Sequence, residues 1–333
     1  MDSTAARSRS TSESASASET PEASYVFPST SYEFTGFSGG LDSTPMLLAH
    51  SASTTWSFEP LQLVPLAIGA LLYARRARTL ARRGTPVAGW RPFVFGLGVA
   101  IVAVSLVSPI ATLGEQESFA FHMVQHLLLG DLGPLCIVAG LTGPLLRPLL
   151  SVRAVRALRF LAHPLVALPL WTGNLFAWHL PTLWEAALRH DAVHALEHAC
   201  FFTAGATMWA AVVEVLPGPE WFGTAAKMGY VVVVRLVSTI LGNVLLWAGT
   251  PFYGLYEEAH RPWGLSASAD QGIAGGIMMI EGSLVTIGAL AWLFLRLAEE
   301  GDLRQQLLDR GLDPRAVRRA VRYGRGDELS GSP

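Results

Sequence analysis

The chain has 333 residues, 51% of them apolar and only 15% charged, with a net charge of −2. That composition excludes an ordinary soluble domain. No basic patch interleaved with aromatics supports a nucleic-acid role, and Cys136 and Cys200 lie far apart in apolar runs, which excludes a disulfide framework or a CxxC motif.

Residues 1–56 are rich in Ser, Thr, Ala and Glu and hold no apolar run, so they read as a disordered extracytoplasmic tail. A helix crosses the hydrocarbon core with about 20 apolar residues. Seven stretches qualify, at 57–74, 92–113, 118–141, 160–178, 192–214, 228–249 and 271–295. Turn residues separate them, among them Gly84-Thr85-Pro86, Gly143-Pro144, Pro181, Pro217-Gly218-Pro219 and Pro262. Backbone groups in lipid must be paired within the segment, which makes these stretches helices. The expectation is an all-α, multi-pass protein with a seven-helix membrane domain over 57–296. In the Arg-rich tail, 297–333, Leu303, Leu307, Leu308 and Leu312 predict a short amphipathic helix lying on the membrane surface.

Basic residues set the orientation. Alternate connections and the C-terminal tail carry 19 of them, including Arg75, Arg76, Arg147, Arg153, Arg156 and Lys227, whereas the opposite loops carry only Arg189 and Arg261. The N-terminus is therefore expected outside and the C-terminus in the cytoplasm.

On that topology the histidines gather at the outer ends. His122 and His126 fall in the third span, His179 closes the fourth, and His190, His194 and His198 enter the fifth. Four-residue spacing stacks each set on one helix face, about 6 Å per step. Met123, Met278 and Cys200 fall near the same depth, and imidazole with sulfur suits copper, Cu(I) above all. Glu197 and His190 are expected to support the ligands from behind, and Asp191 to cap the fifth helix. His50, His163 and His260 read as ordinary packing or hydrogen-bonding residues, and Cys136 as core. Deeper in the membrane, Asp131 and Arg235 are predicted to form a structural ion pair, because an unpaired charge there is costly. Glu281 is expected to bond a polar neighbour such as Asn243 or Asn174.

The run Phe121-His122-Met123-Val124-Gln125-His126 resembles the HMxQH signature of the CtaG family, multi-pass assembly factors of caa3-type cytochrome c oxidase. Trp178-His179-Leu180-Pro181, His194-Ala195-Leu196-Glu197-His198 and Asp270-Gln271 with Gly275-Gly276-Ile277-Met278 are similar to further blocks of that family. Gly272 and Met279 depart from its pattern. The resemblance covers residues 57 to 296. It implies a role in maturing the oxidase by holding or delivering copper, with His122, Met123, His126, His179, His194, His198, Asp270 and Met278 as site residues.

The resulting expectation is a non-enzymatic copper site in a bacterial plasma-membrane protein. In it His122 and His126 meet His194 and His198, and Met123, His179 or Met278 completes the shell. Oxidase subunits or a soluble copper chaperone are the expected partners, and dimerisation is left open. The rival readings are a haem-binding redox protein and a copper or proton-coupled transporter.

Overall fold

In the computed structural model, residues 56–152, 159–257, 264–324 and 326 are described, and among them no strand occurs. The expected N-terminal tail (to residue 55), His50 and His260, Arg153, Arg156 and Arg261 lie outside the described residues.

The helices follow their local signals. Helix α1 (Pro60–Arg82) opens on a proline at its first position, where the missing N–H costs nothing. It is followed by α2 (Trp90–Val107) and the short α3 (Pro109–Gln116), whose N-terminus is capped by the Ser108 hydroxyl. Helix α4 (Phe119–Leu127) runs through a π-turn (Leu128–Leu132) into α5 (Gly133–Gly140). After α6 (Gly143–Leu150) come α7 (Pro164–Trp178), α8 (Pro181–Arg189), α9 (Asp191–Val213) and α10 (Thr224–Trp247). A single turn, α11 (Gly254–Glu257), leads to α12 (Ala267–Asp309) and α13 (Pro314–Arg322).

Among the described residues, five segments are long and apolar enough to cross a membrane: α2, the α4–α5 run Phe119–Gly140, α9, α10 and α12. The first predicted span forms α1, whose last two turns carry Arg75, Arg76, Arg78 and Arg82, and the fourth forms α7, which has only 15 residues. Exposed apolar stripes mark the lipid-facing sides: Leu236, Ile240, Val244 and Trp247 on α10, and Ile280, Leu284 and Ile287 on α12. Stripes of that extent would be a liability in water.

Helix α12 differs from expectation. Its 43 residues extend to Asp309, roughly 65 Å at the α-helical rise, because nothing after Arg296 breaks it. Its last turns fold against α13, so that Leu303, Leu307, Leu308 and Leu312 pack with Val317 and Val321. The leucines expected to lie on lipid are covered by protein instead.

Packing fixes the position of the site. Helix α12 lies along α10 and against α4, while α9 packs on α7, α5 and the π-turn. One approach is unusually close: a Cβ on Gly205 of α9 would collide with the Gly130 carbonyl of the π-turn and meet its carbon at 2.9 Å. A side chain of any size there would hold apart the two helices that carry the histidines.

Candidate metal centre

The N-terminus of α4 is clamped from across the bundle. Asp270 of α12 accepts hydrogen bonds from Ser118 Oγ (2.7 Å), Phe119 N (2.7 Å) and Ala120 N (3.4 Å), satisfying amides that α4 itself cannot pair. One turn along, His122 and His126 face the same side, with their Nε2 atoms 2.9 Å apart. On α9, His194 and His198 lie against each other with ring centroids 4.1 Å apart and planes tilted by 55°. The two pairs face each other: His122 lies 5.8 Å from His194 and His126 lies 5.5 Å from His198, centroid to centroid. Four imidazoles thus close a ring across two helices.

Glu197 enters the same group. Its Oε2 is 3.9 Å from His126 Nε2, and donor atoms of His122, His126 and Glu197 all lie within 4.8 Å of one another. The sequence placed Glu197 behind a ligand. The crossing of α4 and α9 turns it inward among the imidazoles.

Burial is deep. His122 and Glu197 are 0% exposed, His198 3%, His126 4%, His179 8% and His194 9%. Trp184 of α8, also fully buried, lies 4.4 Å from His122 and 5.7 Å from His179. Tyr253 packs on Trp184 and donates to the His179 carbonyl at 3.0 Å. Phe201 closes the floor, 4.5 Å from His126.

Hydrogen bonds assign the free nitrogens. His198 Nδ1 donates to Gln62 Oε1 of α1 (2.7 Å), and His179 Nδ1 donates to the Leu175 carbonyl (2.7 Å). In a neutral imidazole each such bond leaves a lone pair on Nε2. The Nε2 atoms of His179, His194 and His198, Nδ1 of His126 and both Glu197 oxygens have no hydrogen-bond partner. Buried polar groups are nearly always bonded, so this concentration marks a place built for something other than self-satisfaction. Neutral imidazoles with free nitrogens beside a carboxylate are metal donors, and their second ring nitrogens are held as ligating histidines usually are.

Other sequence-predicted residues lie elsewhere. His190 is exposed and begins α9 as its N-cap, apart from the ring; Asp191 follows it, and no side chain caps that end. Met123 and Met278 are buried in the apolar cluster with Phe119, Trp178 and Trp184, and Cys200 packs against it. His163 is half-buried and accepts a bond from Leu165 N. The expected Asp131–Arg235 ion pair is not formed. Asp131 accepts from Trp209 Nε1 (2.5 Å) and bonds the Glu281 carboxyl, while Arg235 donates to the Met279 carbonyl (2.6 Å) and Ser283 Oγ (2.8 Å). The π-turn shifts the helix phase after Leu127, so Asp131 faces α9 and α12. Asn243 donates to Thr239 O and leaves Glu281 to that carboxyl pair.

Sequence reasoning overlooked Gln62, Trp184, Tyr253 and Tyr256. Tyr256 Oη donates to the Gly114 carbonyl (2.6 Å) and lies 3.4 Å from His122 Nδ1. Only Gln62 left a trace in the sequence, as a lone amide in an otherwise apolar run.

This arrangement defines an all-helical membrane protein with a buried histidine–carboxylate centre. The chain belongs to the cytochrome c oxidase caa3 assembly factor family (Caa3_CtaG), which matches residues 71–300. It is similar to uncharacterized proteins of Mycobacterium bovis and Mycobacterium tuberculosis, each 24% identical over 243 residues, covering 67% of this chain and 36% of the relative. An uncharacterized protein of Mycobacterium leprae is 24% identical over 249 residues, with the same coverage. The chain thus spans about a third of the length of these curated relatives. No solved structure matches it.

Proposed function

We propose that this chain holds copper at the extracytoplasmic face of a bacterial plasma membrane and passes it to a maturing cytochrome c oxidase. The observation that carries this reading is the ring of four buried imidazoles around Glu197, with ligating atoms left without partners. In this reading α1 and α7 join the five long helices to make seven spans, with the arginine-rich ends in the cytoplasm. The family supports the oxidase side of the proposal.

Copper, as cargo, suits the donor set. Imidazole nitrogen binds it well, and one carboxylate balances the single charge of Cu(I) where an uncompensated charge is costly. His122, His126, His198 and Glu197 form the inner shell, and His179 and His194 stand ready at its edge. Met123 and Met278 shape the apolar wall. The ion leaves by ligand substitution to an oxidase subunit or a soluble chaperone, without catalytic turnover.

A haem reading is disfavoured by Trp184 and Phe201, which fill the space between the helices where a macrocycle would lie. The Asp131–Glu281 carboxyl pair favours a second reading, a proton-coupled transporter, since such a bond needs a shared proton.

The test is elemental analysis of the purified protein beside the double variant His126→Ala/His198→Ala. Copper per chain should fall to background in the variant, and the yield of active oxidase should fall with it. Equal copper in both proteins would end the metal reading. Copper uptake into proteoliposomes driven by a proton gradient would favour the transporter.

A further inference from the structure

A cation must reach this buried centre, and the structure offers two approaches to compare. One is a cavity of about 1050 Å³ between α1 and the faces of α2, α5, α6 and α9, with His198 and Gln62 on its wall. Its lining is mostly apolar, and the charges on it are Arg75 and Arg76, so a cation entering it would lose hydration and meet like charge.

The second approach is past α3, where a half-exposed carboxylate meets a site histidine. His194 is the most exposed of the six buried site residues, and its Nδ1 lies 3.7 Å from Glu115 Oε1. The Glu115 side chain is 35% exposed, so this carboxylate touches solvent on one side and the imidazole on the other. The opposite ring nitrogen of His194, Nε2, is buried and without a partner, and the ring lies against that of His198. Glu59 and Asp191 add negative charge close enough to be felt at Glu115.

The end of α3 that carries Glu115 is fixed to the centre. Tyr256 holds the Gly114 carbonyl, and a Cβ on Gly114 would sit 2.8 Å from the His122 Cα and N atoms, so only glycine permits this approach. Glu115 is therefore registered against His122 by backbone contact. Tyr253, Tyr256 and Trp184 close the neighbouring sides.

We propose that Glu115 and His194 form the port through which the copper ion enters and leaves. The inference rests on the metal reading above and adds a route to it. The acidic mouth concentrates the cation, Glu115 takes it from water, and His194 passes it inward, with one ring nitrogen at the port and the other facing the centre. A carboxylate at the mouth of a low-dielectric site raises cation arrival rates by tenfold or more.

The experiment uses the full chain in detergent, loaded from Cu(I) held by a coloured chelator, with transfer followed by the chelator's absorbance. Glu115→Gln should slow loading about tenfold at the same final stoichiometry and flatten its dependence on ionic strength. Glu115→Asp should recover much of the rate, and matching thermal melts confirm that each variant is folded. Wild-type rate and salt dependence in Glu115→Gln would overturn the port. So would a final stoichiometry as low as that of the His126→Ala/His198→Ala protein, since Glu115 would then be a ligand. Failure of the wild-type protein to take copper overturns the metal reading itself, and the port with it.

Discussion

Helix α9 carries a glutamate near each end, Glu214 half-buried and Glu197 fully buried, and the two are treated in opposite ways. Glu214, its C-cap in the left-handed conformation (φ 60°), accepts from Lys227 Nζ (2.6 Å), Arg322 Nη1 (2.7 Å) and Gly218 N (3.1 Å). Glu197, near the other end, accepts nothing, although it is fully buried. A cluster that satisfies itself holds the fold together. One that leaves its donors and acceptors open costs stability that the surrounding packing must offset.

The contrast is broken most forcefully at Glu214. Glu214→Ala would strand Lys227, 0% exposed, as an unpaired charge beside apolar walls, and should cost about 3–5 kcal/mol. Thermal unfolding in detergent reads this, and an unchanged melting point would mean the cluster is not structural. Acid should mimic the substitution. Burial alone would raise the Glu214 carboxyl, but the bonds from Arg322 and Lys227 outweigh it and hold the group below its ordinary 4.5. Its contribution is therefore complete above that pH and drains away as pH falls through the lower folded value.

Glu197→Gln should show the reverse pattern. Copper affinity should fall at least about tenfold, while stability changes by less than about 1 kcal/mol, because no hydrogen bond is lost. A large drop in melting point with affinity intact would show that Glu197 belongs to the scaffold after all. A smaller, mixed effect is expected at Asp270, which stands between these extremes as a satisfied residue serving an open site, with its stability loss between those of Glu214 and Glu197. Asp270→Ala should cost about 1–2 kcal/mol through loss of the α4 cap and lower copper occupancy by letting His122 drift. Occupancy and melting point moving together would confirm that link, and occupancy unmoved would dissolve it.

The sequence made the helical class and the histidine pairs legible, since apolar runs and four-residue spacing survive any rearrangement of neighbours. Asp131 and Arg235 both lie within helices long and apolar enough to cross a membrane. Their facing was not legible. Which carboxylate meets which partner depends on helix rotation and crossing, and the π-turn at Leu128–Leu132 alters both within an apolar run that reads as one continuous span. Glu197 was misplaced for the same reason, three residues from His194 but turned into the ring by the approach of α4. Gln62 and Glu115 come from elements distant in the chain, and only packing brings them to His198 and His194.

The meeting of Gly205 and Gly130 acts as the pivot of a calliper. It lies about 6 Å along the helix from His126 and about 10 Å from His198 at the α-helical rise. The opening between the two imidazole pairs is therefore gauged by backbone touching backbone, not by the ligands themselves. Discrimination by ionic radius in this protein would then be written at two residues that never meet the ion.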